Sequence, residues 1–315
     1  MSRKITIIGA GSVGATIAYT LSQDDIASEI VMIDVNRDKA EGEVMDIIQG
    51  TCFREPIAIT SGDYEDAKDS DIVIITSGVA RKPGQSRLEL AQTNVDILKD
   101  ITPQIAAAAP NAKYIIVSNP VDVLTYVFTK ISGIPENQII GSGTVLDTAR
   151  LRCGIAEHFN VAQKNVHAYV FGEHGDTSFI PWSKACISAV PMEEYVKTMK
   201  NSGVRVTPVD KDAMLEYVQK SGGKIIANKG ATFYAVSAAV CKLCSILLAS
   251  SDSYTTVSTM MHGEYGIEDV CLSTLALVGP NGCQGKVEVN LTDEEEVLLK
   301  KSADTLKAII AQIEI

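Results

Sequence analysis

Positive charge is scarce in this chain: 28 Lys and Arg stand against 39 Asp and Glu, a net charge of −11. A surface of that sign repels phosphate backbones and anionic headgroups, so neither nucleic acid nor membrane is an expected partner. Long apolar runs are also missing. The only stretch near the roughly 18 residues of a membrane span is 233–253, which Lys242 interrupts and Ser and Cys dilute; it reads as a buried helix. No segment resembles a signal peptide, because the apolar Ile5-Thr6-Ile7-Ile8 follows almost at once, and the expected compartment is the cytoplasm. The seven cysteines are odd in number and form no regular framework, which fits the same reducing compartment. Cys241 and Cys244 have metal-ligand spacing. They lie in a helical apolar pattern with no second Cys or His pair nearby, so they read as two buried thiols, and no metal site is expected. Repeats, low-complexity tracts and long linkers are absent. What remains is globular, 46% hydrophobic and 21% charged, in 315 residues that suit about two domains.

Against that background one motif stands out. Gly9-Ala10-Gly11-Ser12-Val13-Gly14 follows the first apolar run and precedes a helix-like run at 15–21. A second apolar run, Ile30-Val31-Met32-Ile33, ends in Asp34, 20 residues after Gly14. Strand, tight turn, helix, strand and acid in that order form a dinucleotide-binding fingerprint. Gly9 permits the turn, Gly11 lets backbone approach a pyrophosphate, and Gly14 lets helix and strand pack closely. The helix start offers free N–H groups and a positive dipole end to phosphates. Asp34 suits two ribose hydroxyls and would repel a 2′-phosphate, so the expected cofactor is NAD rather than NADP.

Apolar runs at 5–8, 30–33, 57–59, 72–75 and 114–117 alternate with helical stretches at 12–23, 37–48 and 88–108. Such alternation predicts a parallel sheet with right-handed crossovers and a ligand beyond the strand ends at Gly9, Asp34, Ser77-Gly78 and Ser118-Asn119-Pro120. From about residue 145 the texture changes. Helices are expected at 145–157, 211–218 and 225–248, and strands at 165–171, 254–260, 268–278 and 285–289. A last helix, capped by Thr292, should run to about 312. The expected fold is α/β. An N-terminal doubly wound parallel (Rossmann) sheet over 1–144 is fused to a C-terminal α+β substrate domain over 145–315.

Chemistry-bearing residues gather in three places. His174 sits between glycines in Phe171-Gly172-Glu173-His174-Gly175-Asp176, after an expected strand, where it suits general acid/base work. Asp147 and Arg150 share a helix face. They form either a solvated i,i+3 pair or two separate tools, a carboxylate that orients a histidine and a fork that clamps a substrate carboxylate. The basic segment 78–87, with Arg81 and Arg87 between Gly and Pro, reads as a solvated loop or as a lid that brings Arg onto substrate.

GAGSVG at 9–14, SNPVD at 118–122, GSGTVLDTARLR at 141–152, GEHGD at 172–176 and KGATFY at 229–234 together resemble the lactate/malate dehydrogenase family, end to end. The chain closely resembles that family's bacterial L-lactate dehydrogenases. That resemblance implies hydride transfer between NADH and a 2-oxo acid. His174 would be the proton donor, Asp147 its orienting partner, Arg150 the carboxylate clamp, Arg87 the lid residue that polarises the carbonyl, and Asn119 a hydrogen-bond donor beside it. Cofactor contacts are implied at Gly9, Gly11, Val13, Gly14, Asp34, Lys39, Tyr64, Gly78, Val117 and Asn119. Arg152 and His167 match the family's fructose 1,6-bisphosphate site between subunits, and a homotetramer is implied.

Substrate choice is divided. Lactate enzymes of the family usually carry Gln where this chain has Arg81, and malate enzymes carry Arg, which would pair the second carboxylate of oxaloacetate. Facing a methyl group in full burial, an unpaired Arg costs at least several kcal/mol. Leu88-Glu89-Leu90, Thr232 and the Arg152/His167 pair match the lactate pattern instead, and a mobile lid would let Arg81 reach solvent. Lactate is therefore the expected substrate and malate the alternative. Two further readings remain: an NAD-dependent glycosidase, which would need a metal-ligand cluster that the sequence lacks, and a non-catalytic NAD-binding protein.

Overall fold

The computed structural model describes residues 3–80 and 87–315, with the backbone alone at Arg87. The first half alternates strand and helix as the apolar runs require. Its elements are β1 (Lys4–Ile8), α1 (Ser12–Gln23), β2 (Glu29–Ile33), α2 (Arg37–Gln49), β3 (Ala58–Ser61), β4 (Ile72–Ile75), α3 (Arg87–Ala108), β5 (Lys113–Ile116), α4 (Val121–Ile131) and β6 (Ile139–Gly141). These six strands lie in the order β3-β2-β1-β4-β5-β6 and pair in parallel. The order reverses between β1 and β4, the crevice where doubly wound sheets bind ligands. Alternate residues serve opposite faces. Ile5 and Ile7 join one buried cluster with α1 and with Val240, Leu243 and Leu247, while Ile8, Ile33 and Ile75 join another with α3 and α4. Each such isoleucine, removed from water, contributes about 1.5–3 kcal/mol.

The second half contains α5 (Val145–Phe159), β7 (Val166–His167), β8 (Cys186–Ile187), β9 (Val190–Pro191), α6 (Met192–Asn201), α7 (Lys211–Lys229), α8 (Tyr234–Leu247), β10 (Ser253–His262), β11 (Glu268–Gly279), β12 (Gly282–Lys286) and α9 (Asp293–Ile310). β7, β8 and β9 form a small antiparallel sheet. β10 pairs with β6 through Ser258 and Gly141, so β10, β11 and β12 extend the first sheet to nine strands among the described residues. β6 is otherwise a three-residue edge, and the later strands cover its open hydrogen-bonding groups.

Several expectations change. The strand expected at 165–171 is reduced to Val166–His167 with isolated bridges at Phe171 and Gly172. α4 and α6 add to the expected helices; α4 buries Val121 to Phe128 without a break. The expected break between 218 and 225 does not occur: α7 runs straight through Gly222-Gly223 and ends at Gly230, φ +86°. The last helix keeps its Thr292 cap: the Glu295 N–H donates to the Thr292 hydroxyl, and the Thr292 N–H donates back to the Glu295 carboxylate. Cys241 and Cys244 are buried on α8, where burial pushes the Cys241 thiol up to about 12. Among the described residues no helix is long and apolar enough to cross a membrane.

Candidate active site

The glycine turn is built from close approaches. Gly9 has φ +106°, and its N–H donates to the Ile33 carbonyl at 2.7 Å. A Cβ on Gly14 would stand 1.9 Å from the Gly9 carbonyl oxygen, so any side chain there would separate α1 from β1. Gly11 is the opposite case: a Cβ there would have nothing within 4 Å. That open face fronts the start of α1, whose first turn has no acid and no side-chain cap. Asp34, at the end of β2, accepts from the Ala10 N–H at 2.7 Å and the Asn36 N–H at 2.9 Å, and stays partly exposed. An unblocked helix start, a bare glycine face and a fixed carboxylate fit a dinucleotide's pyrophosphate and ribose.

Beside the turn lies a cleft of about 450 Å³. Of the residues expected at the site, Val13, Gly78, Val117, Asn119, Asp147, Arg150, His174 and Thr232 all line it. A larger cavity, about 880 Å³, opens at the opposite ends of β4 and β5, where Asp71 and Lys113 lie. It faces away from the carboxyl strand ends, where sheets of this kind bind ligands, so the smaller cleft is the candidate. Tyr64 lines that larger cavity and not the cleft. Lys39 is exposed in the first turn of α2, near Asp34. Arg81 and the Arg87 side chain lie outside the described residues.

His174 is held from four directions. Its loop pairs with Ser273 of β11 through Gly172, and Glu173 donates its N–H to Ser302 of α9 at 2.7 Å. The His174 N–H donates to Asp122 of α4 at 2.8 Å, and Gln219 of α7 donates to the Asp176 and Ser178 carbonyls at 3.0 Å. The ring is fixed separately: Nδ1 lies 2.5 Å from Asp147 Oδ2, which leaves Nε2 to a ligand in the cleft. Asp147 Oδ1 accepts from Arg150 Nη1 at 2.9 Å. The pair on α5 is thus neither solvated nor independent: one carboxylate bridges the imidazole and the guanidinium, and all three side chains are largely buried.

The charges explain the titration. The Asp147 carboxylate raises His174 to about 9, against the effect of burial. Burial pushes Asp147 up, but His174 and Arg150 outweigh it and hold the carboxyl below its ordinary value. Asp122 is raised to about 6, chiefly by burial. Its Oδ1 has no partner of hydrogen-bond geometry among the described residues, and the neighbouring Ser258 hydroxyl is likewise unpaired.

Three positions escaped the sequence reading. Asp122 stands in the quoted SNPVD run, but its contact with His174 spans 52 residues. Asn94, buried on α3, accepts from the Val79 N–H at 2.8 Å and donates to the Asn119 carbonyl at 2.6 Å, which ties two strand-end loops together. Gln219 docks α7 on the histidine loop. An isolated Asn or Gln on a helix gives no signal of such a contact. Away from the cleft, Arg152 donates to the Ala168 carbonyl at 3.0 Å and stacks 4.9 Å from the Tyr169 ring, beside the exposed His167.

Residues 3–141 match the model of the lactate/malate dehydrogenase NAD binding domain, and residues 144–314 that family's alpha/beta C-terminal domain. The chain belongs to the lactate/malate dehydrogenase family. It is an NAD-dependent 2-hydroxyacid dehydrogenase. Among curated proteins it is similar to L-lactate dehydrogenase of Acetivibrio thermocellus, 45% identical over 313 residues, 99% of this chain and 98% of that one. L-lactate dehydrogenase 1 of Clostridium acetobutylicum is 44% identical over 310 residues, 98% of each. Among solved structures, the ligand-bound minor L-lactate dehydrogenase of Enterococcus mundtii superposes with a TM-score of 0.94 at 35% identity, covering 100% of this chain and 99% of that one. This family member therefore shares its fold over the full length.

Proposed function

We propose that this dehydrogenase interconverts pyruvate and L-lactate. The observation that carries the chemistry is the bridge Arg150–Asp147–His174, at 2.9 and 2.5 Å, in the same cleft as the glycine turn. NADH supplies the hydride, which is delivered to the carbonyl carbon of the oxo acid. His174 gives its Nε2 proton to the carbonyl oxygen as negative charge develops there, and takes it back in the reverse direction. Asp147 fixes the ring's tautomer and stabilises its charged form. Arg150 turns its remaining N–H donors to the substrate carboxylate, while Asn119 and the lid residue Arg87 polarise the carbonyl. Thr232 closes the far wall. The Gly9 to Gly14 turn and Asp34 hold the cofactor, flanked by Val13, Lys39, Gly78 and Val117. Residues 1–144 supply the cofactor half and 145–315 the substrate half.

Pyruvate is favoured because the similar curated proteins are named L-lactate dehydrogenase and match end to end. Arg81 favours a second reading, oxaloacetate, whose extra carboxylate it would pair. Steady-state kcat/KM for the two oxo acids with NADH decides between them; a strong oxaloacetate preference would make this a malate dehydrogenase. The same reading includes a cytoplasmic homotetramer with fructose 1,6-bisphosphate bound by Arg152 and His167 of facing subunits.

A further inference from the structure

Beyond the last rung of the sheet, β4 and β5 part. Ile75 and Ile116 are their final paired residues, and the Val117 and Ser118 N–H groups still donate to the Ile75 carbonyl at 2.9 and 3.3 Å. The Ser118 hydroxyl then donates to the Ser77 carbonyl at 2.5 Å. Further on, no backbone bond joins Val79 to Asn119 among the described residues, and a side chain takes over. Asn94 of α3, only 2% exposed, accepts from the Val79 N–H at 2.8 Å. It donates to the Val79 carbonyl at 3.2 Å and to the Asn119 carbonyl at 2.6 Å. Its amide thus pairs with both backbone groups of Val79, as a neighbouring strand would, and gives its second hydrogen across the gap. One orientation of the amide alone works: turned over, it would set N–H against N–H and oxygen against two carbonyl oxygens. The fit is close, since a Cβ on Gly78 would stand 3.2 Å from Asn94 Oδ1.

Val79, Asn94 and Asn119 all line the cleft. The Asn119 backbone is held, while its own side-chain amide is exposed and has no hydrogen-bond partner among the described residues. Val79 leads into the segment that carries Arg81 and Arg87. A donor that must meet a substrate carbonyl to within about 0.5 Å needs a fixed base of this kind. We propose that Asn94 is a positioning residue for the reduction. Through the Asn119 carbonyl it holds the Asn119 side chain at the substrate's carbonyl, and through Val79 it fixes the start of the arginine-bearing segment relative to that group. This rests on the dehydrogenase reading above and adds to it a residue that acts through Asn119, its own polar atoms being committed.

The test uses Asn94→Asp and Asn94→Ala, with NADH binding followed by fluorescence and with kcat and KM for the oxo acid measured across pH. Aspartate has the shape of asparagine. As a carboxylate it accepts from Val79 but cannot donate to Asn119; once protonated it does both. Burial and the two carbonyl oxygens push such a carboxyl above its ordinary range, while the charges of Asp147, Arg150, His174 and Asp176, which line the same cleft, cancel when the histidine is protonated. The wild type should be level below about pH 9. Near neutral pH, Asn94→Asp should lose kcat by about 10- to 100-fold with NADH affinity kept within about threefold, and it should regain most of that loss as pH falls. Asn94→Ala should be slow at every pH. A purely structural contact gives no such recovery in acid. Unchanged kcat in both variants, one flat slow profile shared by both, or loss of NADH binding together with turnover overturns the positioning role and leaves the dehydrogenase reading intact. A wild type that reduces neither pyruvate nor oxaloacetate overturns both.

Discussion

His174 Nδ1 meets Asp147 Oδ2 at 2.5 Å across 27 residues of sequence. The carboxylate is the largest influence on the ring and sets its proton affinity near 9. Proton and orientation are therefore supplied before substrate arrives, the preorganisation that general acid catalysis requires.

That affinity fixes the pH dependence. Reduction needs His174 protonated, so kcat/KM for the oxo acid should be level below about pH 9 and fall about tenfold per unit above it. Oxidation of the hydroxy acid needs the neutral ring and should fall as pH drops through the same window. Initial rates in both directions, corrected for the proton consumed in the reaction, check this; a common profile for the two directions contradicts it.

Asp122 is the second anion near the ring. It faces His174 together with Asp147, Arg150 and Glu173, and its charge also raises the histidine. Asp122→Asn keeps an acceptor for the His174 N–H but removes the charge. The alkaline limb of reduction should therefore move to lower pH, with the loop still in place. An unmoved limb would reduce Asp122 to a purely structural anchor.

The lid residue Arg81 bears on specificity. Replacing it by Gln removes a cation that only a dicarboxylate can pair, so Arg81→Gln should raise the kcat/KM ratio of pyruvate to oxaloacetate by about tenfold or more. The ratio should rise whichever acid the wild type prefers. No change would exclude Arg81 from substrate choice.

Arg152 is bonded to the carbonyl of Ala168, the residue after the exposed His167, away from the cleft. Two such pairs from facing subunits would match a bisphosphate. Sedimentation with and without fructose 1,6-bisphosphate should show a tetramer that the effector strengthens and that Arg152→Ala makes insensitive to it. An effector without influence on mass or activity would remove this site.

Much of this was legible in the sequence, for local reasons. α1 at 12–23 and the strands before and after it follow from the glycine spacing and unbroken apolar runs, which short-range physics dictates. Asp147 and His174 were legible by motif, and their contact followed from the fold. The rest depended on distant partners. α4 is buried along its first eight residues, Asp122 and Thr125 included, and only packing against distant elements explains burial of those polar positions. The bond between β10 and β6 depends on an edge more than 110 residues upstream. The expected helices 211–218 and 225–248 leave a gap that the structure fills: Gln219 and Val218 hold α7 against the second half, and the helix continues to Gly230.

The central claim is that His174 delivers the proton in an NADH-dependent reduction of pyruvate. The most direct measurement is the rate of NADH consumption with pyruvate at neutral pH for the wild type and His174→Gln, with NADH binding followed separately by fluorescence. The account predicts a wild type that turns over and a variant slower by about 10²–10⁴-fold that still binds NADH. Equal rates in the two proteins, or a wild type that binds NADH and never oxidises it, would contradict it.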